Sequence, residues 1–401
     1  MLVPQVLCPE RCHGITGATE HFAIGVFLNV TGNGFKPHPD VFVKNAATAV
    51  EEDLFSMTEA PRSAPEPPAN ASPGPARRRK LEVAPGKTFS VVEDKKWLMM
   101  DIREPFFDIT DWLDVPAVAP PSDSKPLAAL PFPTVMIQTR HVKALIHKLR
   151  KDIIRADLER FSSFHNRYYL SRPGVESAEW LHGQARAVID AAGHPTAYVR
   201  YSALILTPPS KETTAVVLIC DGNGAGSVMI LELLRVLLLF DKRIASGDLL
   251  NTVEFHWYAA GEAGLLGSQQ IFNQYRAIKR QVVSMLNQDM VGYVGRDGVE
   301  SFGVVTDWTH PDQVAYMKRV IYAYTDIPYE ETVCGYACSD HASATRNGFP
   351  SAFISEAPFG KHNPYIHKLN DTMENVSFDH VLQHAKMTMG YVYELAYWPF
   401  A

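Results

Sequence analysis

AVVLICDGNGAGSVMILELLRVLLLF, residues 215–240, holds two apolar segments separated by a short turn. AVVLIC (215–220) is brief and wholly apolar, which is how a strand buried on both faces reads. SVMILELLRVLLLF (227–240) has the length of a helix and is apolar nearly all round, so this helix is expected to be buried. A buried strand that feeds a buried helix is the repeating unit of an α/β sheet.

The flanking sequence repeats the alternation. VEFHWYAA (253–260) and VVSMLNQDM (282–290) read as strands, with the helix-like SQQIFNQYRAIKRQ between them. A helix over 311–324, a strand at SAFIS (351–355) and a closing helix from Phe378 to about Tyr397 follow. Upstream, HVKALIHKLRKDIIRADLERF (141–161) has apolar residues at helical spacing. SAEWLHGQARAVIDAAG (177–193) reads as a second helix, with Ser177 as N-cap and Gly193 past its end. The expected fold is α/β, a mixed, largely parallel central sheet flanked by helices on both faces.

Residues 1–85 are expected to be a poorly ordered, low-complexity head. PRSAPEPPANASPGPARRRK (61–80) is dense in proline, alanine and serine and offers little to pack. A second proline-rich break, DVPAVAPPSDSKPLAALPFP (114–133), closes a short segment at 86–133 and leaves 134–401 as the main domain. The basic run Arg77-Arg78-Arg79-Lys80 is open to three readings: a solvated loop, a processing site or a localisation signal.

With 46% hydrophobic and 20% charged residues the composition is that of a globular protein, and a net charge of −6 gives no footprint for nucleic acid. No apolar run approaches the ~20 residues of a membrane span. FAIGVFL (22–28) lacks the flanks of an export signal. The sequons at Asn29, Asn70 and Asn375 are compatible with export and glycosylation. Five cysteines are few for a disulfide scaffold of 401 residues. The short spacings Cys8/Cys12 and Cys334/Cys338 permit local disulfides, and zinc at Cys8/Cys12 lacks a second ligand pair nearby.

Ligands and catalytic groups of parallel sheets collect at the carboxyl ends of the strands. Asp221 lies just past the first apolar strand, Glu262 just past the second, and Asp289 ends the third. His367 sits in HNPYIHKLNDT, the loop before the last helix. Three carboxylates and an imidazole are ligands that zinc accepts. Acids at strand ends also serve as solvated caps, and spacing alone leaves both readings open.

Five ordered blocks carry a resemblance: CDGNGAGSVMILELLR, NTVEFHWYAAGEAGLLGSQ, LNQDMVGYV, CGYACSDHASATRNGFPSAF and NPYIH. Together they resemble the secreted fungal leucine aminopeptidases of the M28 zinc-peptidase family. The resemblance runs from about residue 90 to 401. FFDITDW (106–112) and FSSFHNRYYLSRPGVESAEWL (161–181) are similar to that group's propeptide end and mature start. It implies an α/β sandwich with two zinc ions ~3.5–4 Å apart. It also implies peptide substrates with a free N-terminus, a monomer and an extracellular location. By position, Asp221 matches the carboxylate bridging the metals, Glu262 and His367 complete one zinc, and Asp289 ligates the other. Cys334 and Cys338 match a short disulfide that shapes the substrate pocket.

Three departures from the family pattern bear on activity. Gly261 stands where the family carries its general base, the first of two consecutive glutamates. Loss of such a base commonly costs ~10²–10⁴ in rate. The His-x-Asp motif expected before the bridging acid is absent, because AVVLIC enters Asp221 directly, and its histidine is the missing ligand beside Asp289. Gly222 replaces an aspartate that supports the site from behind. His256, within VEFHWY, is read as a structural strand residue. The surviving trio Asp221, Glu262 and His367 matches the single-zinc set of glutaminyl cyclases, which also depend on an acid where Gly261 stands. The expectation is an aminopeptidase-family protein that is inactive or impaired, a pseudoenzyme with one zinc or none. Two alternatives stand beside it: an active zinc aminopeptidase from a message with an additional segment before Asp221, and a non-catalytic peptide- or partner-binding protein.

Overall fold

In a computed structural model, residues 78–400 are described except 97, 102–103, 114, 116, 118–131, 195–196, 200–203, 207–215 and 222–223. The strands are β1 (Arg78–Ala84), β2 (Lys87–Val92), β3 (Phe107–Asp108), β4 (Tyr198–Val199), β5 (Leu204–Leu206) and β6 (Val216–Asp221). They continue with β7 (Thr252–Trp257), β8 (Val282–Asp289), β9 (Phe302–Val305), β10 (Tyr329–Thr332) and β11 (Ser351–Ser355). The principal helices are α1 (Thr139–Ile146), α2 (Lys151–Ser162), α3 (Arg172–Ala192), α4 (Gly224–Phe240), α5 (Leu266–Ala277), α6 (Pro311–Tyr324), α7 (His341–Arg346) and α8 (Phe378–Ala396).

The main sheet has eight strands in the order β10-β9-β11-β8-β6-β7-β5-β4. Its centre, β11-β8-β6-β7, is parallel throughout; β9 against β11 and the β7-β5-β4 edge are antiparallel. The alternation of strands and helices therefore has the expected result, and β6 is the central strand that its apolar run requires. Successive residues of β6 serve opposite faces. Val217 and Ile219 join the large core with α4 and α8, while Cys220 joins Ile271, Phe272 and Tyr275 of α5. Because α4 is packed by α2, α3 and α8, its apolar residues are buried on almost every side.

Two expected helices change. The periodic stretch 141–161 is two helices, α1 and α2, broken at 147–150. Arg150 is extended, and its backbone N–H donates to the buried Glu232 carboxylate of α4 at 2.8 Å instead of continuing the ladder. The second helix begins at Arg172, not Ser177: Ser171 is its N-cap, its hydroxyl accepting from Gly174 N–H at 3.1 Å, with proline in the first turn. Gly193 ends it in the left-handed conformation, as expected.

The boundary drawn at residue 85 also moves, because it cuts a hairpin. β1 pairs antiparallel with β2 and, on its other edge, with β3. Part of the basic run is correspondingly structural. Arg79 is buried and ion-paired with Glu93, beside a buried Lys96–Asp108 pair at 3.1 Å. Residues 1–77, with Cys8, Cys12, Asn29 and Asn70, lie outside the described residues.

Candidate active site

β6 pairs with β7 and β8 in register, so that Asp221 stands opposite Trp257 and Gln288. The chain leaves β6 toward β7 on one side and then crosses to β8 on the other, which makes the end of β6 the topological switch point of the sheet. Asp221 closes β6, Asp289 closes β8 one residue beyond Gln288, and Glu262 follows β7 by five residues.

The loop carrying Glu262 is tightly reversed. Leu265 and Gly264 N–H groups both donate to Gly261 C=O, at 2.8 and 3.0 Å, and Ala260, Gly264 and Leu265 have positive φ. Gln269 of α5 locks the turn by donating to Gly264 C=O at 2.6 Å and to Asp108 C=O at 3.1 Å. Gly264 has φ +101°, and a Cβ there would lie 2.5 Å from the Asp108 nitrogen, so glycine is required. At Gly261 the opposite holds: an added Cβ would meet none of the described residues within 4 Å. Among the described residues, the seat of the expected base is open space.

Glu262 faces His367, with Oε1 and Nε2 4.0 Å apart and side chains 22% and 53% exposed. His367 itself is left-handed at φ 59°. Burial raises the Glu262 carboxyl above the usual range; His367 and Arg167 pull it back and the Asp289 charge pushes it up. Burial raises Asp289 too, against the Ser339 hydrogen bond and the His367 charge. Ser339 Oγ donates to Asp289 Oδ2 at 2.9 Å and accepts from Asn287 Nδ2 at 2.8 Å; Asn287 Oδ1 in turn accepts from Cys220 Sγ at 3.1 Å. The relay holds the Asp289 carboxylate from the side of Ser339.

Several contributors were not anticipated. Glu356, directly after β11, accepts backbone N–H groups of Gly292, Tyr293 and Asn363 and so ties the exits of β8 and β11 to the histidine loop. Burial pushes its carboxyl up to about 7. Asp340 is buried as well, accepts from Ser268 Oγ at 2.5 Å, and is pushed up to about 7 chiefly by burial, with Asp289 and Glu262 adding to it. The strand-exit rule applied to SAFIS would have found Glu356. His256 is a structural residue: its ring nitrogens face Tyr258 Oη at 2.8 Å and Glu254 Oε2 at 2.9 Å, and it is fully buried. Asn375 is partly buried and donates from its side-chain amide to Asn370 C=O.

Two acids and an imidazole that perturb one another are a donor set for a hard or borderline cation. The 4.0 Å between Glu262 and His367 is about half an ångström wider than the ~3.4 Å ligand separation of a tetrahedral zinc site. One ion therefore fits between them with little adjustment. A second ion beside Asp289 would need an imidazole that His256 does not offer. Among the described residues, the tighter group of potential ligand atoms, all within 4.8 Å of one another, is Cys334, Cys338 and His341. The two cysteines are disulfide-bonded, with Cα atoms 5.9 Å apart, as the resemblance implied.

The sequence profile of Peptidase family M28 matches residues 220–392. Leucine aminopeptidase 1 of Colletotrichum graminicola is 41% identical over 350 residues, covering 80% of this chain and 86% of its own. Leucine aminopeptidase 1 of Arthroderma otae is 42% identical over 351 residues, covering 79% and 91%. Among solved structures, the LapA aminopeptidase of Legionella pneumophila superposes with a TM-score of 0.71 at 23% identity, over 81% of this chain and 100% of that one. LapB from the same organism gives 0.67 at 21% identity, over 80% and 100%. At these identities the structural likeness concerns the fold.

Proposed function

The chain belongs to peptidase family M28, and on that premise we propose a leucine aminopeptidase-like metallohydrolase whose hydrolytic step is lost or strongly impaired. Asp221, Glu262 and His367 would hold one zinc ion, and peptides with a free N-terminus would be its ligands. The protein would act as a monomer on extracellular peptides, a reading that rests on the fungal resemblance alone. When bound, zinc polarises a peptide carbonyl and acidifies water. The protein's own part is to position and to carry protons. The Asp289 carboxylate, held by Ser339 and by the Met290 N–H, would face the substrate's α-ammonium group. Proton transfer from water to the leaving amine needs a basic side chain at the seat of Gly261, and glycine has none.

The observation that carries this reading is glycine at 261, with no described residue within 4 Å of where its side chain would begin. Hydrolysis of leucine p-nitroanilide with added zinc tests it, beside zinc content per chain. The natural protein should bind one zinc ion and turn over at least ~10²-fold more slowly than its Gly261→Glu variant. That variant should itself stay below ordinary family rates for want of the second imidazole. Brisk turnover by the natural chain, abolished by chelator and by Glu262→Ala, would falsify the proposal. The direct run of β6 into Asp221 favours a second reading, an active two-zinc enzyme encoded by a message with a longer segment at that join. Sequencing the transcript across residues 215–225 decides it, although Gly261 is left without explanation.

A further inference from the structure

We propose that, once its disulfide is reduced, the chain binds a zinc ion through the Sγ atoms of Cys334 and Cys338 and a ring nitrogen of His341. This site is separate from Asp221, Glu262 and His367, and it stands whether or not those residues hold metal.

Three observations converge on it. The ligand atoms of the three residues already lie within 4.8 Å of one another. His341 is fully buried, its ring 5.0 Å from that of Phe353, and among the described residues neither ring nitrogen has a hydrogen-bond partner. A buried imidazole without partners is rare, because it forfeits the hydrogen bonds it would make in water. Finally, three residues separate the cysteines and two separate Cys338 from His341, the short ligand spacing on which zinc sites are built.

The backbone around these residues is anchored by bonds other than the disulfide. Asp307 accepts the N–H groups of Cys334 at 3.0 Å and Gly335 at 2.8 Å. Beyond Cys338, the Ser339 hydroxyl bridges Asn287 and Asp289, and Asp340 is held by Ser268. Reduction therefore frees two sulfurs without freeing the loop. In a tetrahedral site the sulfurs stand ~3.8 Å apart and each lies ~3.5 Å from the nitrogen, so side-chain rotation of about an ångström suffices.

The chemistry balances. A phosphine or dithiol reductant supplies two electrons, and two protons complete the thiols. Zinc then displaces both thiol protons and accepts the imidazole lone pair, leaving the fourth position to water. Two thiolates neutralise the dication, which suits a half-buried location.

Cobalt(II) is the probe, added to the full chain carrying Glu262→Ala and His367→Ala so that the candidate active site keeps no carboxylate–imidazole pair, and none of its residues can give a thiolate band. After phosphine reduction we expect one cobalt ion per chain with a thiolate-to-cobalt charge-transfer band. The oxidised chain should show none, and zinc should bleach the band while protecting both thiols from alkylation. A Cys334→Ser/Cys338→Ser double variant should lack the band in either state, and His341→Gln should weaken cobalt binding by about tenfold or more. Three results would overturn the proposal: reduced, folded protein without the band; unchanged affinity in His341→Gln; or collapse of the fold, seen by circular dichroism, on reduction alone.

Discussion

Gly264 and Gly261 sit three residues apart in one loop and obey opposite rules. Gly264 is imposed by its φ of +101° and by the Asp108 nitrogen against it, so Gly264→Ala should cost ~2–4 kcal/mol in denaturant unfolding and, on the proposed role of Glu262, loosen zinc binding by displacing it. An unchanged midpoint and unchanged zinc affinity would show that the loop yields freely. Gly261 has no such packing requirement. Sequence reading reached Asp221, Glu262 and Asp289 because an acid directly after a buried apolar strand stands out. It passed over Ser339, Asp340 and Glu356, whose importance lies in hydrogen bonds to residues 50 or more positions distant and leaves no local pattern. Glu356 alone had a readable signal, its place at the exit of β11.

At the scale of elements, the hairpin β1–β2 escaped notice because it begins inside a run whose proline and arginine content reads as solvated. A buried ion pair and an apolar cluster fasten it together. Glu82 is paired with Arg346 of α7 at 2.6 Å, both side chains buried, and Phe107 and Ile109 pack on Leu265, Ala337 and Ala342. Arg346→Leu strands the Glu82 carboxylate and should cost ~3–5 kcal/mol, with amide exchange accelerating over residues 78–92 before the main sheet. Exchange that rises uniformly would instead mean that hairpin and sheet open together. The short strand β10 was missed for a related reason: four residues such as YEET at a sheet edge need no apolar face. The break between α1 and α2 depends on Glu232, some 80 residues downstream, and no helical periodicity could reveal it.

For the whole molecule the buried acids set opposing responses to pH. Burial of Glu254 would raise its carboxyl, but Arg280, His256 and Tyr275 overcome that and hold it near 2. A depressed folded pKa contributes stability that is complete above about 4.5 and lost as pH falls toward about 2. Glu356, raised to about 7, works the other way: its contribution is complete below about 4.5 and lost as pH rises through about 7. Glu254→Gln should therefore lower stability by ~3 kcal/mol at pH 6 and flatten the acid limb of the stability curve. Equal loss at pH 2 and pH 6 would mean that packing rather than charge accounts for Glu254. The central parallel strands were legible in sequence as apolar runs, whereas this charge network, assembled from β7, α5 and the turn after α5, was not.

The void at Gly261 also has a use for chemistry supplied from outside. Open space among the described residues, beside the Glu262 carboxylate proposed to hold zinc, can admit a small soluble acid. Formate should accelerate leucine p-nitroanilide hydrolysis with saturation, while chloride at equal ionic strength should not. Filling the gap with Gly261→Gln should abolish the rescue, and a flat response in the unaltered chain would mean that the vacancy is too wet or too shallow to lodge a surrogate.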